Sequence, residues 1–547
     1  MYKNNKEVVK NPQNIDYVKE RYMECNNITK AVMMLCDEIG CEYNDSLRRV
    51  FSKILERNKV TDNRELILLE DTDVYQKAVK SKLKPSKYYL VSWAQAETKV
   101  HKQFWKNMKA YAEYIGAEII IQPGRYGSPT SLRKNRKKYE LTWDSRIIDY
   151  LYADRLNLND KVAVLADLKI QPTAVIPING INGFTAEKTS IVPHPKVQLR
   201  SLPVLDDYDS KLVLTTGAVT IPNYTDSKAG ARGKFEHELG FAIVEIVDNE
   251  KYYVRQVQAT NDGTFQDLKH LVENGEVIVN NHLPFITMGD IHYGEHDEEA
   301  YNTALSLLNE YRVEHVALHD FFSGYTVNHH ELKNPFTIMD KEYREQLDLT
   351  YEINQCLDEL HSLNNSYKDT TFLLVASNHN DFLDRWLMNT DWRKSRNMRA
   401  YLDLANIKAS NPNGSIFNSL VEKYCNSTYS PKGIDATITK QVVTLEYGDS
   451  YRVNDYELAL HYDRGANGSR GSLNQFKDLS TKSVGGHGHA PQRIGGAVMA
   501  GTLTKKRMGY NTGLSSWMHG VVVGYDTGKV SHIHIIDGKY TTLYETS

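Results

Sequence analysis

The sequence predicts an α/β protein, on three observations. Residues 88–121 read as a strand, a helix and a second strand; after residue 285 strands and helices alternate more regularly; and each strand of that second series gives out at a metal-capable side chain. In open α/β sheets ligands gather beyond the carboxyl ends of the strands, so the third observation indicates a site as well as a fold. At 547 residues the chain exceeds one ordinary core. It is expected to divide into a helical segment over 1–60, a linker over 61–86, an additional α/β region over 87–280 and a domain over 281–547 that carries the metal-capable strand ends.

Composition narrows the function classes. A formal net charge of -3 argues against a protein that coats nucleic acid passively, since affinity would have to come from local patches. It leaves an enzyme open. The cysteines (Cys25, Cys36, Cys41, Cys356, Cys425) are odd in number and form no CxxC pair, which points to a reducing compartment and away from a cysteine zinc site. The N-terminal stretch MYKNNKEVVKNPQN lacks the apolar core of a signal peptide, and no run of about eighteen apolar residues occurs. A soluble cytoplasmic protein with no membrane partner is expected.

In chain order, residues 14–58 carry apolar side chains at three and four spacing: Ile28, Val32, Leu35 and Ile39, then Leu47, Val50, Phe51, Ile54 and Leu55. With Gly40 between the two halves, this fits a helix-turn-helix that reads DNA, and equally a small bundle used for docking or homo-oligomerisation. The polar linker closes at Lys84-Pro85-Ser86. Tyr88 to Trp93 reads as a strand, Val100 to Ile115 as an amphipathic helix and Ala117 to Ile121 as a strand after Gly116. The basic run Arg133-Lys-Asn-Arg-Lys-Lys138 follows, able to hold phosphates by charge or simply to face solvent. His194, Glu236 and His237 have no recognisable ligand spacing and read as ordinary core or surface residues.

The run Phe285-Ile-Thr-Met-Gly-Asp-Ile-His-Tyr293 reads as a buried strand that delivers Asp290 and His292 to one side of an extended backbone. Alone, such a pair is as readily a capping Asp beside a solvated His. A helix over 298–311 leads to a strand over 313–318 that ends in His319-Asp320. A helical stretch over 340–363 leads to a strand over 371–376 that ends in Ser377-Asn378-His379-Asn380-Asp381. Helical residues 382–405 precede a strand over 458–461, ending in His461, and the turn Ser483-Val-Gly-Gly-His487-Gly-His489. Hard carboxylate oxygens beside imidazoles suit manganese, iron or zinc.

These groups, in this order, resemble the calcineurin-like metallophosphoesterase superfamily. The resemblance implies a β-sandwich core flanked by helices over 281–547, two divalent cations and phosphoester hydrolysis. It implies that Asp290, His292 and His489 hold one cation, that Asn378, His461 and His487 hold the other, and that Asp320 bridges them. His379 matches the catalytic His, which contacts phosphate and serves as acid, with Asp381 as its orienting acid. Manganese is the expected metal, with iron and zinc as alternatives. The chain departs from the pattern where His319 and Ser377 replace glycines, where Ser323 stands for a second Asp, and where Asn380 separates His379 from Asp381.

Candidate substrate contacts are His329 and His330, which follow the bridging Asp, and Arg464 and Arg470 in a glycine-rich loop after His461. A plain turn and a flexible loop explain them equally well. The abundant tyrosines, 35 in all, are explained by packing before base stacking is invoked. The whole chain, including Leu214 to Thr220 and Asn223 to Gly230, is similar to the early DNases of T5-like bacteriophages. That implies a manganese-dependent enzyme that degrades host DNA in the cytoplasm of an infected bacterium. Two other classes stay open: a phosphatase or phosphodiesterase for small phosphoesters, and a noncatalytic regulator that binds DNA or a host protein and has a structural metal site.

Overall fold

The structure is a computed structural model that describes residues 5–25, 28–57, 66–69, 84–126, 141–206, 208–425, 442–509 and 511–544. It is a mixed α/β chain of two compact units. The smaller unit holds helices Asn5–Lys10, Pro12–Cys25, Ile28–Ile39 and Asp45–Arg57. Their apolar stripes meet in one core that includes Val18, Val32, Leu35, Leu47 and Phe51. Gly40 turns the chain at φ 62°, a left-handed conformation that glycine adopts freely, and the Asn44 side chain caps the next helix by accepting the Leu47 N–H at 2.9 Å.

Within the stretch expected as linker, the apolar run Leu66–Leu69 is a strand, paired antiparallel with Leu141–Asp144. Residues 61–65 and 70–83, and the basic run at 133–138, lie outside the described residues.

In the larger unit, strand Tyr88–Gln95, helix Lys102–Ile115 and strand Ala117–Gly124 form a parallel βαβ unit. The helix buries Phe104, Trp105, Met108 and Tyr111 and stops where Gly116 takes φ 67°. Strands Gly240–Ile246 and Tyr252–Gln258 complete this sheet. The buried Arg255 guanidinium pairs with both Glu245 and Asp267, and Glu245 accepts in turn from the Thr541 hydroxyl and the Thr542 N–H. Removing one member of such a buried set costs about 3–5 kcal/mol, so Thr541 and Thr542 are firmly tied to this sheet.

The sheet that positions the candidate site has six strands. β1 (His282–Thr287), β2 (Arg312–Leu318), β3 (Thr371–Val375) and β4 (Val442–Leu445) run parallel in that order; β5 (Gly520–Gly524) pairs antiparallel with the free side of β1, and β6 (Val530–His534) pairs antiparallel with β5. Successive parallel strands step one way across the sheet, so right-handed crossovers put their connecting helices on one face. Ile286, Val316, Phe372 and Leu374 pack in one core with helices Glu298–Glu310, Leu349–Ser366 and Ile416–Cys425. Their neighbours Phe285, Ala317, Leu373 and Val375 face the other way, onto Tyr456, Val484 and Val498 of a ten-stranded sheet. That second sheet pairs Leu199–Leu202 with Gln492–Ile494, so residue 280 does not divide it.

Two expected elements differ. The helical stretch over 340–363 is two helices, Pro335–Tyr343 and Leu349–Ser366: Glu345 leaves helical geometry at φ 59°, and Asp348 caps the second by accepting the Tyr351 N–H. Of the strand expected near 458–461, the paired residues are Tyr456–Glu457. His461 sits on the unpaired segment beyond, which Leu458 anchors through its N–H to the Tyr451 carbonyl. Among the described residues no helix is long and apolar enough to cross a membrane.

Candidate metal centre

The loops that leave β1 and β2 stay side by side past the strand ends: the N–H groups of Ile291 and His292 bond to the carbonyls of His319 and Asp320. This brings Asp290, His292 and Asp320 together, and His489 joins them to form a buried group whose ligand atoms lie within 4.8 Å of one another. His489 Nε2 is 3.0 Å from Asp290 Oδ2, and 3.3 Å from His292 Nε2. Asp320 also belongs to a second group with His461 and His487. His461 Nε2 lies 3.1 Å from Asp320 Oδ2 and 3.2 Å from Asn378 Oδ1, and His487 Nδ1 is 3.1 Å from that same amide oxygen. All the candidate ligands named from the sequence therefore converge.

The donor set fits a metal ion. Asp320 Oδ1 is buried with no hydrogen-bond partner in the protein, and imidazole nitrogens converge on carboxylate oxygens from several directions. Mixed nitrogen and oxygen donors suit a divalent transition metal. The backbone is bent to the purpose: His292, Asp320, His487 and His489 take φ of 48°, 41°, 77° and 55°. Non-glycine residues rarely adopt such angles, at about 1–3 kcal/mol each, and they gather where a ligand must be clamped. Gly486 makes room, because a Cβ there would fall 2.2 Å from Asp290 Oδ1. The next N–H, of His487, donates to that oxygen at 2.8 Å.

Charge is balanced inside the protein. Burial works against ionising Asp320, yet His461 and then His379 hold its carboxyl well below the usual range. For Asp290, burial is likewise outweighed by His489 and His461. Burial alone would lower His461, but Asp320 and Asp290 together push it up to about 9. His292 and His487 are lowered, first by burial and then by a neighbouring imidazole, which keeps them neutral and able to act as ligands.

His379 stands edge-on to His292, ring centroids 4.1 Å apart, and its Nδ1 donates to the Ser323 carbonyl at 2.6 Å. The expectation that Asp381 orients His379 is corrected here: Asp381 pairs with Arg464, whose guanidinium also lies 3.4 Å above the Tyr447 ring. Arg464 is thus engaged, whereas the exposed Arg470 lines a cavity of about 460 Å³ together with His487. His329 and His330 pack on Phe382, which itself packs on His379, so they sit one ring away from the site. A second cavity of about 350 Å³ is lined by His292, Ser323, His379 and Lys505 among others. His194 and His237 lie apart, bonded to the carbonyls of Gln171 and Thr220.

Sequence reasoning missed three contributors. Ser323 acts through its main chain, which no side-chain pattern signals. His319 faces His461, Nδ1 to Nδ1 at 3.3 Å, and burial lowers its pKa to about 3. It therefore stays neutral and accepts a hydrogen bond from His461 Nδ1–H, which turns Nε2 of that ring toward Asp320 and Asn378. Trp517 packs against His489 with ring centroids 3.9 Å apart; nothing in the spacing of the motifs pointed to it.

No family model matches the chain, and no solved structure matches it. Among curated proteins, Protein A1 of Escherichia phage T5 is 26% identical over 548 residues, covering 94% of each chain. Along nearly its whole length, this chain is a distant relative of that phage T5 protein.

Proposed function

We propose that the protein is a two-metal phosphodiesterase of the calcineurin-like metallophosphoesterase type, acting on DNA in a phage-infected bacterium with manganese as its metal. The observation that carries this reading is Asp320, one buried carboxylate shared by two sets of candidate ligands. Asp290, His292, Asp320 and His489 would hold one cation; Asp320, Asn378, His461 and His487 would hold the other. A cation pair supplies Lewis-acid activation of water and neutralises charge in an in-line displacement at phosphorus.

The chain's own groups complete the chemistry. With its Nδ1–H fixed on the Ser323 carbonyl, His379 has Nε2 open to take a proton from water and pass it to the leaving oxygen. Arg470, on the cavity wall beside His487, offers a guanidinium to a phosphate. The N-terminal helical unit supports a polymeric substrate, and the kinship with a phage protein supports action in an infected cell.

The test is incubation of purified protein and manganese with plasmid DNA, linear DNA, a phosphomonoester and a cyclic nucleotide. The expected result is DNA cleavage that a chelator abolishes. Hydrolysis confined to the small esters would replace DNA by a small substrate, and no hydrolysis of any of them would overturn the enzymatic reading.

A further inference from the structure

A third cavity, of about 440 Å³, uses none of the metal-centre residues and is lined by Lys196, Lys477, Lys482, Arg493 and Lys529 with Glu236 and Glu238. Two of these cations are neutralised in place: Lys196 pairs with Glu236, and Lys529 lies 2.9 Å from Glu238. The other three leave a surplus of positive charge. Lys482 has Asp455 at 4.0 Å, the limit of an ion pair, and Lys477 forms no ion pair among the described residues. Lys482 is also lowered, first by burial and then by the charge of Lys529, against the opposing pull of Glu238 and Asp455.

Arg493 is 5% exposed. One of its Nη groups donates to the Val530 carbonyl at 3.3 Å, but its buried Nε–H has no partner. A buried charged donor without an acceptor is destabilising, and a ligand oxygen relieves it. Gly495, at φ 58°, turns the chain at the rim without adding a side chain.

We propose that this cavity is a phosphate-binding site distinct from the metal centre, taking a phosphate group from a mononucleotide or from a nucleic-acid backbone. Strand Lys482–Gly485 alone spans roughly 10 Å before the chain turns to His487, and no residue of the cavity lining belongs to the metal centre, so a phosphate held here is not the one under attack.

The test is a thermal-shift titration of the full-length protein with inorganic phosphate, in a chelator that keeps the metal centre out of play and against sodium chloride of equal ionic strength. Phosphate is expected to raise the melting temperature, and Lys477→Met and Lys482→Met are each expected to weaken that response about tenfold. Arg493→Met is expected to weaken it further; if that variant fails to fold, the two surface lysines still decide. A response to a deoxynucleoside monophosphate but not to an oligonucleotide without terminal phosphates assigns a terminal phosphate, and the reverse assigns a backbone diester. No response to phosphate beyond that to the chloride control, or a response that both lysine variants retain in full, would overturn the site. The readout involves no cleavage, so it stands or falls apart from the proposed enzyme activity.

Discussion

His379 Nδ1 lies 2.6 Å from the carbonyl oxygen of Ser323. A carbonyl can only accept, so the ring carries its fixed proton on Nδ1 and presents Nε2 for chemistry. His379→Ala is expected to lower DNA cleavage about 100- to 10,000-fold with bound metal unchanged. Ser323→Ala keeps the carbonyl and should retain activity. Turnover rates measured beside metal content check both; an equal loss in the two variants would contradict the backbone role.

Asp320 is common to both ligand groups, whereas Asp290 and His489 belong to one and His487 to the other. Asp320→Ala should therefore reduce metal at both positions, and His489→Ala or His487→Ala at one. Metal per chain by elemental analysis distinguishes the outcomes, and Asp320→Ala protein that keeps a full complement would refute the sharing.

The contact of His319 with His461 predicts a milder phenotype. A group that fixes the orientation of a metal ligand is typically worth about 10- to 100-fold in metal affinity. His319→Phe, which keeps the buried ring, should weaken metal binding by that order while the far-ultraviolet circular dichroism stays unchanged. Unaltered affinity would reduce His319 to a packing residue.

Glu352 accepts the N–H groups of Tyr325 and Thr326 at 2.9 and 3.0 Å and so holds the turn that follows Ser323. Burial dominates those hydrogen bonds and raises its carboxyl from 4.5 to about 7. Because the folded value lies above the unfolded one, the associated stability is fully present below pH 4.5 and is lost as pH rises through 7. A shift of this size corresponds to roughly 3 kcal/mol. Denaturant titrations across that window should show this fall, and Glu352→Gln should flatten it.

Much of the fold and the ligand order was legible because it is local. Strands β1 to β3 each alternate between two cores, as Phe285 beside Ile286 and Leu373 beside Phe372 and Leu374 illustrate, and each delivers its ligands where it ends. What was not legible depends on contacts far apart in the chain or on the backbone. The pairing of Leu199–Leu202 with Gln492–Ile494 has no local signature, so a boundary at 280 looked natural. Nothing in a His or Asp announces the left-handed angles at His292, Asp320, His487 and His489. Asp381 lies near His379 in sequence, but it opens helix Asp381–Asn389 and its carboxylate meets Arg464 instead.

Crystals grown with manganese, with anomalous data at its absorption edge, measure the shared-carboxylate centre most directly. Two anomalous peaks are expected, one among Asp290, His292 and His489, the other among Asn378, His461 and His487, with Asp320 touching both. A single peak, none, or peaks held by other side chains would contradict a two-cation centre.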